Sequence, residues 1–147
     1  MFKHLLVPID GSDLSRHATQ QAIHFAREID ARVTFFVAKP DYPVSFQAGS
    51  GLTDPATRER FVATAERQAR DILDPAVAAA AAAGIDATGV TTVSDTPHEG
   101  IIATALAHDC DLVFMASHGR RGLGALLLGS ETQKVLTHSK IPVLVYR

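Results

Sequence analysis

Residues 111–119 (DLVFMASHG) decide the fold, because this almost entirely apolar run ends abruptly in a serine, a histidine and a glycine. A run this apolar predicts a strand that is buried on both faces, as in a parallel sheet. The loop that follows, up to Ser130, is rich in glycine and leads into a predicted helix. A strand, a glycine-rich loop and a helix in this order are typical of an α/β fold with a binding site at the strand's carboxyl end.

Outward from this segment, apolar runs alternate with segments of helical periodicity along the whole chain. Strands are predicted at 5–9, 33–38, 87–93, 111–117 and 141–146. Five strands joined by helical crossovers predict a doubly wound five-stranded parallel sheet with helices on both faces. The strand order 3-2-1-4-5 is our hypothesis, because it places the polar ends of the first and fourth strands side by side at the switch point. Residues 1–147 are expected to form one domain.

Helix starts are predicted from capping residues and prolines. Ser12 is expected to cap the first helix, Asp54-Pro55 to open the second and Thr96-Pro97 to open the third. Ser130 to Gln133 has the spacing of a capping box, which predicts Ser130 as the N-cap of the last helix. Pro75 lies inside the second helical segment and allows either two helical pieces or one kinked helix.

The composition excludes several classes of protein. The 147 residues include 14 basic and 16 acidic side chains, a formal net charge of −2, which argues against a general nucleic-acid-binding role. The single cysteine, Cys110, cannot form an internal disulfide and favours a reducing compartment. No apolar run approaches the roughly 20 residues of a membrane helix, and the apolar N-terminal segment is too short for a signal peptide. We therefore expect a cytoplasmic protein that does not insert into membranes.

The glycine-rich loop has the features of a phosphate cradle. Its glycines allow backbone N–H groups to approach a ligand, the helix at Ser130 offers free N–H groups, and Arg120 and Arg121 add positive charge. A flexible linker with a capped helix would explain the same residues equally well. The loop matches neither the P-loop pattern nor the Rossmann glycine fingerprint, so those two classes of nucleotide site are excluded.

At this level of detail the sequence resembles the universal stress protein family of the UspA type, over essentially the whole chain. The resemblance rests on residues 7–12, 111–119, 128–130 and 142–145. Nucleotide-binding members carry the motif G-x-x-G-x9-G-[ST]. Here the same spacing joins Ala116, Gly119 and Gly129-Ser130, with alanine in place of the first glycine.

The resemblance implies a site for ATP, ADP or AMP, with Mg²⁺ accompanying the nucleotide. It implies that Asp10 contacts adenine or ribose, that Val37 and Met115 sandwich the base, and that the backbone of Ala116 meets the ribose. The nucleotide-binding residues expected on this basis are Pro8, Ile9, Asp10, Val37, Met115, Ala116, His118, Gly119, Arg120, Gly129, Ser130, Glu131 and Thr132. The family commonly forms homodimers through the last strand, which corresponds to Ile141 to Tyr146.

Glu131 places a carboxylate at the N-terminus of the last helix, where a negative charge is unfavourable for phosphate binding. If the Glu131 side chain turns outward to solvent, the phosphate site remains intact. If it caps its own helix, it competes with phosphate for the helix N-terminus. No spacing typical of a protein-encoded metal site occurs, and no catalytic residue is assigned. We expect a regulatory binding module. The alternatives are a dimeric interaction protein that binds no nucleotide and a slow Mg²⁺-dependent ATPase.

Overall fold

A computed structural model describes residues 1–43, 55–119 and 128–147. In chain order, the elements of these residues are β1 (His4–Pro8), α1 (Asp13–Ile29), β2 (Arg32–Lys39), α2 (Pro55–Ala82), β3 (Ala87–Val93), α3 (Pro97–Ala107), β4 (Leu112–Ala116), α4 (Ser130–His138) and β5 (Val143–Tyr146). Within these ranges no helix is long and apolar enough to cross a membrane.

The five strands form one parallel sheet in the order β3-β2-β1-β4-β5, which confirms the predicted topology. β1 lies at the centre, with Leu5 paired to Val33 of β2 on one side and to Leu112 of β4 on the other. β3 has the predicted bounds, and the bounds of the other four strands differ from the prediction by one or two residues; β5, for example, begins at Val143 rather than at Ile141.

Each face of the sheet is covered by a pair of helices. Alternate residues of β1 divide between two apolar clusters: Leu5 and Val7 pack on the face that α1 and α2 cover, and Leu6 packs on the face of α3 and α4. All three side chains are fully buried. Burying an aliphatic side chain of this size stabilises a fold by about 1.5–3 kcal/mol, so both faces contribute to the core.

Two helix ends follow the sequence signals, and one predicted helix cap is wrong. The Ser12 hydroxyl accepts from the backbone N–H of Ser15, as an N-cap should, and Gly84, just after α2, has a φ of +77°. α2 runs unbroken through Pro75. Ser130, by contrast, is not the N-cap of α4, because Gly129 takes that position. Asp54, expected to open the second helix, lies outside the described residues.

Backbone contacts explain why α4 begins as it does. The Gly129 N–H donates to the Ser117 carbonyl at 2.8 Å, and the Gly129 carbonyl accepts from Gln133 at 3.0 Å. The chain is therefore already helical at Ser130, and the α4 N-terminus has no side-chain cap. A capping box is a local pattern, whereas this helix start is set by a contact with the end of β4.

Candidate functional site

A cleft of about 600 Å³ opens at the carboxyl ends of β1, β2 and β4. From β1 the chain leaves to α1 on one face of the sheet, and α4, which follows β4 in the element order, covers the opposite face. This is the point at which the winding reverses, where open α/β sheets bind ligands.

The cleft gathers most of the residues expected in the nucleotide site. Eleven of the thirteen line it: Pro8, Ile9, Asp10, Val37, Met115, Ala116, His118, Gly119, Gly129, Ser130 and Glu131. Thr132 is not among the lining residues, because its buried hydroxyl donates to the Ala116 carbonyl at 3.2 Å. Arg120 and Arg121 lie outside the described residues.

Asp10 is held in place at the mouth of the cleft. Its Oδ1 accepts from the Ser12 N–H at 2.9 Å, and its own N–H donates to the Ser15 hydroxyl at 3.2 Å. Its Oδ2 faces Gly119 so closely that a Cβ on that glycine would lie 2.3 Å from this oxygen. The position of the carboxylate therefore depends on glycine at 119.

β2 extends further into the cleft than β1 does. On one side of β2, the last backbone hydrogen bond to the β1 segment is from the Ile9 N–H to the Phe36 carbonyl, at 2.8 Å. On the other side, the Lys39 carbonyl accepts from the N–H of Ser94, which follows β3. Backbone groups alternate in direction along a strand, so the N–H and C=O of Ala38 point to the side that β1 has left. Among the described residues no backbone group bonds Ala38 there.

The residues expected in the nucleotide site did not include Ala38; they included its neighbour Val37, as a contact of the base. The Val37 and Met115 side chains belong to opposite faces of the sheet. The cleft therefore crosses the plane of the sheet at the carboxyl ends of the strands. The signal that could have found Ala38 is the difference in length between the first two strands, which becomes decisive only when they are placed side by side.

A wall of the cleft that the sequence did not indicate comes from α2. Ala65, Ala69 and Ile72 give it an apolar surface, and Gln68 adds an amide. Ser94 and Asp95, which follow β3, complete the rim. The rim residues could have been found from the rule that ligands bind beyond strand ends, but the α2 wall depends on tertiary packing alone.

Glu131 takes neither of the two orientations that the sequence left open. Its Oε2 accepts from the backbone N–H of His98 at 2.8 Å and from the His98 ring Nδ1 at 3.0 Å, while its Oε1 pairs with Lys134 at 3.0 Å. His98 is in the first turn of α3, so the carboxylate caps the neighbouring helix rather than its own. Partial burial opposes ionisation, but the hydrogen bonds from Lys134 and His98 hold the pKa of Glu131 below its ordinary value.

One cation lines the cleft among the described residues. Lys39, at the end of β2, donates to Glu66 of α2 at 2.5 Å, and Arg70 bonds the other oxygen of the same carboxylate. Hydrogen bonds from Lys39 and Arg70 lower the pKa of Glu66. This network ties the α2 wall to the sheet and leaves Lys39 already paired.

The structure also bears on the single cysteine and on metal binding. Cys110 is buried, and burial raises the pKa of its thiol to about 11, so it is not a nucleophile at neutral pH. Within residues 1–43, 55–119 and 128–147, no group of three or more His, Cys, Asp or Glu side chains is suited to hold a metal ion.

Comparison with known proteins identifies the family. The universal stress protein family model matches residues 1–147. Universal stress protein YxiE of Bacillus subtilis is 30% identical over 151 residues and covers the full length of both chains. The solved structure of protein MJ0577 from Methanocaldococcus jannaschii superposes with a TM-score of 0.83 at 23% identity, over 99% of this chain and 95% of that one.

Two more distant solved structures of the same fold contain nucleotides. The universal stress protein of Archaeoglobus fulgidus was solved with dAMP (17% identity, TM-score 0.66, covering 100% of this chain and 98% of that one). A family protein from Arabidopsis thaliana was solved with AMP bound (14% identity, TM-score 0.68, covering 97% and 90%). The match of the family model over residues 1–147 and the relationship to YxiE lead to one conclusion: this chain belongs to the universal stress protein family.

Proposed function

We propose that this protein is a regulatory module of the stress response that binds an adenine nucleotide, ATP, ADP or AMP, in the cleft at the carboxyl ends of β1, β2 and β4. The observation that carries the proposal is the convergence of eleven expected residues around one cleft of about 600 Å³. The dAMP and AMP complexes of the two relatives support the class of ligand.

The base would lie at the β2 side of the cleft. The backbone N–H and C=O of Ala38 form an adjacent donor and acceptor, the pattern needed to pair with the edge of adenine. The apolar side chains of Val37, Ile72 and Met115 would cover its faces. Asp10 would then stand between the base and Gly119, in reach of the ribose.

The phosphate would lie at the N-terminus of α4. This nine-residue helix has no side-chain cap, so its first N–H groups and the positive end of its dipole are available to an anion. The Ser130 side chain is exposed at the same turn. Mg²⁺ would accompany a polyphosphate as its counterion, held by the phosphates themselves.

A homodimer through β5 and a cytoplasmic location belong to the same proposal. Among the residues that the structure describes, β5 is an edge strand paired with β4 alone, so one side of its backbone is available to a second copy. A universal stress protein that binds no nucleotide and acts only through this surface is the alternative.

Titration calorimetry with AMP and ATP, after bound nucleotide has been stripped, tests the proposal. Gly119→Ala would displace the Asp10 carboxylate, and Asp10→Ala would remove it; each should weaken binding about tenfold or more, ~1.4 kcal/mol. Asp13→Ala is the matched control, because Asp13 pairs with Arg16 on α1 and does not line the cleft.

Absorbance of the freshly purified protein provides an independent measurement. The chain has two tyrosines and no tryptophan, so co-purified adenine nucleotide would appear as a large excess at 260 nm. Circular dichroism would establish that each variant is folded. If the wild type shows no heat of binding and no 260 nm excess, the nucleotide proposal is wrong and the interaction protein is favoured.

A further inference from the structure

We infer that Thr132 is a positioning residue of the cleft: its hydroxyl fixes the start of α4 at the end of β4, so that the base and the phosphate of one nucleotide can be bound together. The inference rests on the proposed function, because it concerns the same site. It gives Thr132 a role other than the ligand contact that the resemblance implies.

The two ends of the proposed ligand would be bound by different elements. Met115 and Ala116, at the end of β4, line the cleft, and Ser130, which also lines it, begins α4. A nucleotide joins its base to its phosphate through one ribose. Both subsites can therefore be occupied at once only if the start of α4 is held at the right place relative to β4.

Two hydrogen bonds hold the start of α4 against the end of β4 among the described residues. The Gly129 N–H donates to the Ser117 carbonyl at 2.8 Å, and the Thr132 hydroxyl donates to the Ala116 carbonyl at 3.2 Å. The first bond precedes the helix, and the second joins its first turn to the strand. A helix attached at one point can pivot about that point, whereas two directional bonds to successive carbonyls fix its orientation.

Thr132 acts on a ligand only through the position of α4. Its side chain is 2% exposed and does not line the cleft, whereas its neighbours Ser130 and Glu131 do line it. A hydroxyl has one O–H to donate, and in Thr132 the Ala116 carbonyl accepts it. A phosphate bound at the helix N-terminus therefore contacts the backbone that Thr132 holds in place, and not Thr132 itself.

Apolar packing is a less exact restraint on the same helix. Val135, three residues after Thr132, is fully buried in the cluster on the α3 and α4 face of the sheet. Hydrophobic burial is not directional, so Val135 keeps α4 on the sheet but tolerates small shifts along it. The hydrogen bond from Thr132 removes that freedom at the end of the helix where the phosphate would bind.

Calorimetric titration of the stripped full-length protein with AMP and with adenosine tests the inference, because the two ligands differ only by the phosphate. Thr132→Val keeps the branched shape and removes the donor. Its affinity for AMP should fall about tenfold, as for the loss of one charge-assisted hydrogen bond, while its affinity for adenosine should stay as in the wild type. Thr132→Ser keeps the hydroxyl, so its affinity for AMP should remain within about twofold of the wild type.

Thr137→Val is the matched control. The Thr137 hydroxyl donates to the Gln133 carbonyl of the same helix at 2.8 Å, and its side chain is exposed. This variant removes a hydroxyl from α4 without changing the contact with β4, so the ratio of AMP to adenosine affinity should not change. Circular dichroism would establish that each variant is folded.

Three results would overturn the inference and leave the proposed function standing. These are an unchanged affinity for AMP in Thr132→Val, equal losses for AMP and adenosine in that variant, and a loss in Thr132→Ser as large as in Thr132→Val. The second would mean that Thr132 only supports the fold, and the third that the hydroxyl is not the cause. If the wild type binds neither ligand, the proposed function fails together with the inference.

Discussion

A side chain at position 119 or 129 would be crowded by contacts inside the protein, before any ligand is considered. A Cβ at Gly129 would lie 3.1 Å from the His118 Cα, and one at Gly119 would lie 2.3 Å from the Asp10 Oδ2. The first of these contacts is with backbone, so a larger residue at 129 would push against the His118 backbone whether or not phosphate binds there. Gly119 reports on the site more directly, because a side chain there acts through Asp10.

His4 makes the stability of the protein depend on pH. It is 7% exposed, its Nε2 bonds the Thr34 hydroxyl at 2.8 Å, and burial together with the Arg32 guanidinium lowers its pKa below 6.5. The unfolded chain therefore binds a proton on this ring more readily than the folded chain. The stability that the neutral ring contributes is present above pH 6.5 and is lost as the pH falls below it.

Chemical denaturation at pH 7 and pH 5 measures this effect. The wild type should lose more unfolding free energy between the two pH values than His4→Leu, by about 1.4 kcal/mol for each unit by which the folded pKa lies below the unfolded one. His17→Leu, at an exposed position on α1, should behave as the wild type. If His4→Leu has the same pH dependence as the wild type, the buried ring does not titrate in this way.

At the scale of elements, the free side of β5 has a definite set of backbone groups. The Pro142 carbonyl accepts from Val113 of β4, and the Tyr146 carbonyl accepts from Ser117 just after β4. The backbone groups of these two β5-segment residues and of Leu144 therefore face the sheet. By alternation, the N–H groups of Val143 and Val145 point away from it. An antiparallel copy of the same strand could pair with them around a two-fold axis.

Val145→Pro tests the dimer without breaking the sheet. Proline would remove an N–H from the free side only, and edge strands tolerate proline at such a position. We expect sedimentation to give a dimer for the wild type at tens of micromolar and a monomer for Val145→Pro. Thermal unfolding should show both to be folded. A wild type that is already monomeric, or a variant that still dimerises, would exclude β5 as the interface.

For the molecule as a whole, we expect nucleotide to be held rather than turned over. Rapid phosphoryl transfer needs groups that stabilise charge on the transferred phosphoryl and one that orients the attacking water. His118 is the side chain of the described cleft best suited to act as a base, and its Nδ1 lies 3.2 Å from the Ser117 hydroxyl rather than beside a carboxylate. Without an orienting carboxylate it should be a weak catalyst.

ADP release from saturating Mg-ATP measures turnover. Hydrolysis should be slower than about one event per minute, far below the rates of typical enzymes. His118→Ala should release ADP at the same background rate. A rate near one per second that His118→Ala abolishes would contradict the binding module and favour an ATPase.

The sequence alone determined the architecture because the signals for it are local and repeated. Apolar runs and helical periodicity located the five strands and four helices of the described residues, and right-handed crossovers indicated a doubly wound sheet. The order 3-2-1-4-5, a hypothesis that makes the polar ends of the first and fourth strands neighbours, is the order observed. That the residues after β1 and β4 meet in the cleft could be predicted from the same signals, whereas the other expected site residues were implied by the resemblance to the family. In a parallel sheet every strand's carboxyl end lies at one edge, so residues that follow β1 and β4 must come together there.

Only the tertiary structure decided which groups in the cleft are available. On the β1 side, the backbone N–H and C=O of Ala38 make no backbone hydrogen bond among the described residues, because β2 continues past the end of β1. α2 forms a wall of the cleft because its apolar side packs beside β2. Glu131 meets His98, 33 residues away in the chain, rather than the N–H groups of its own helix. A hydrogen bond between side chain and backbone at that separation depends on how two helices pack on one face of the sheet, and no local pattern of residues encodes it.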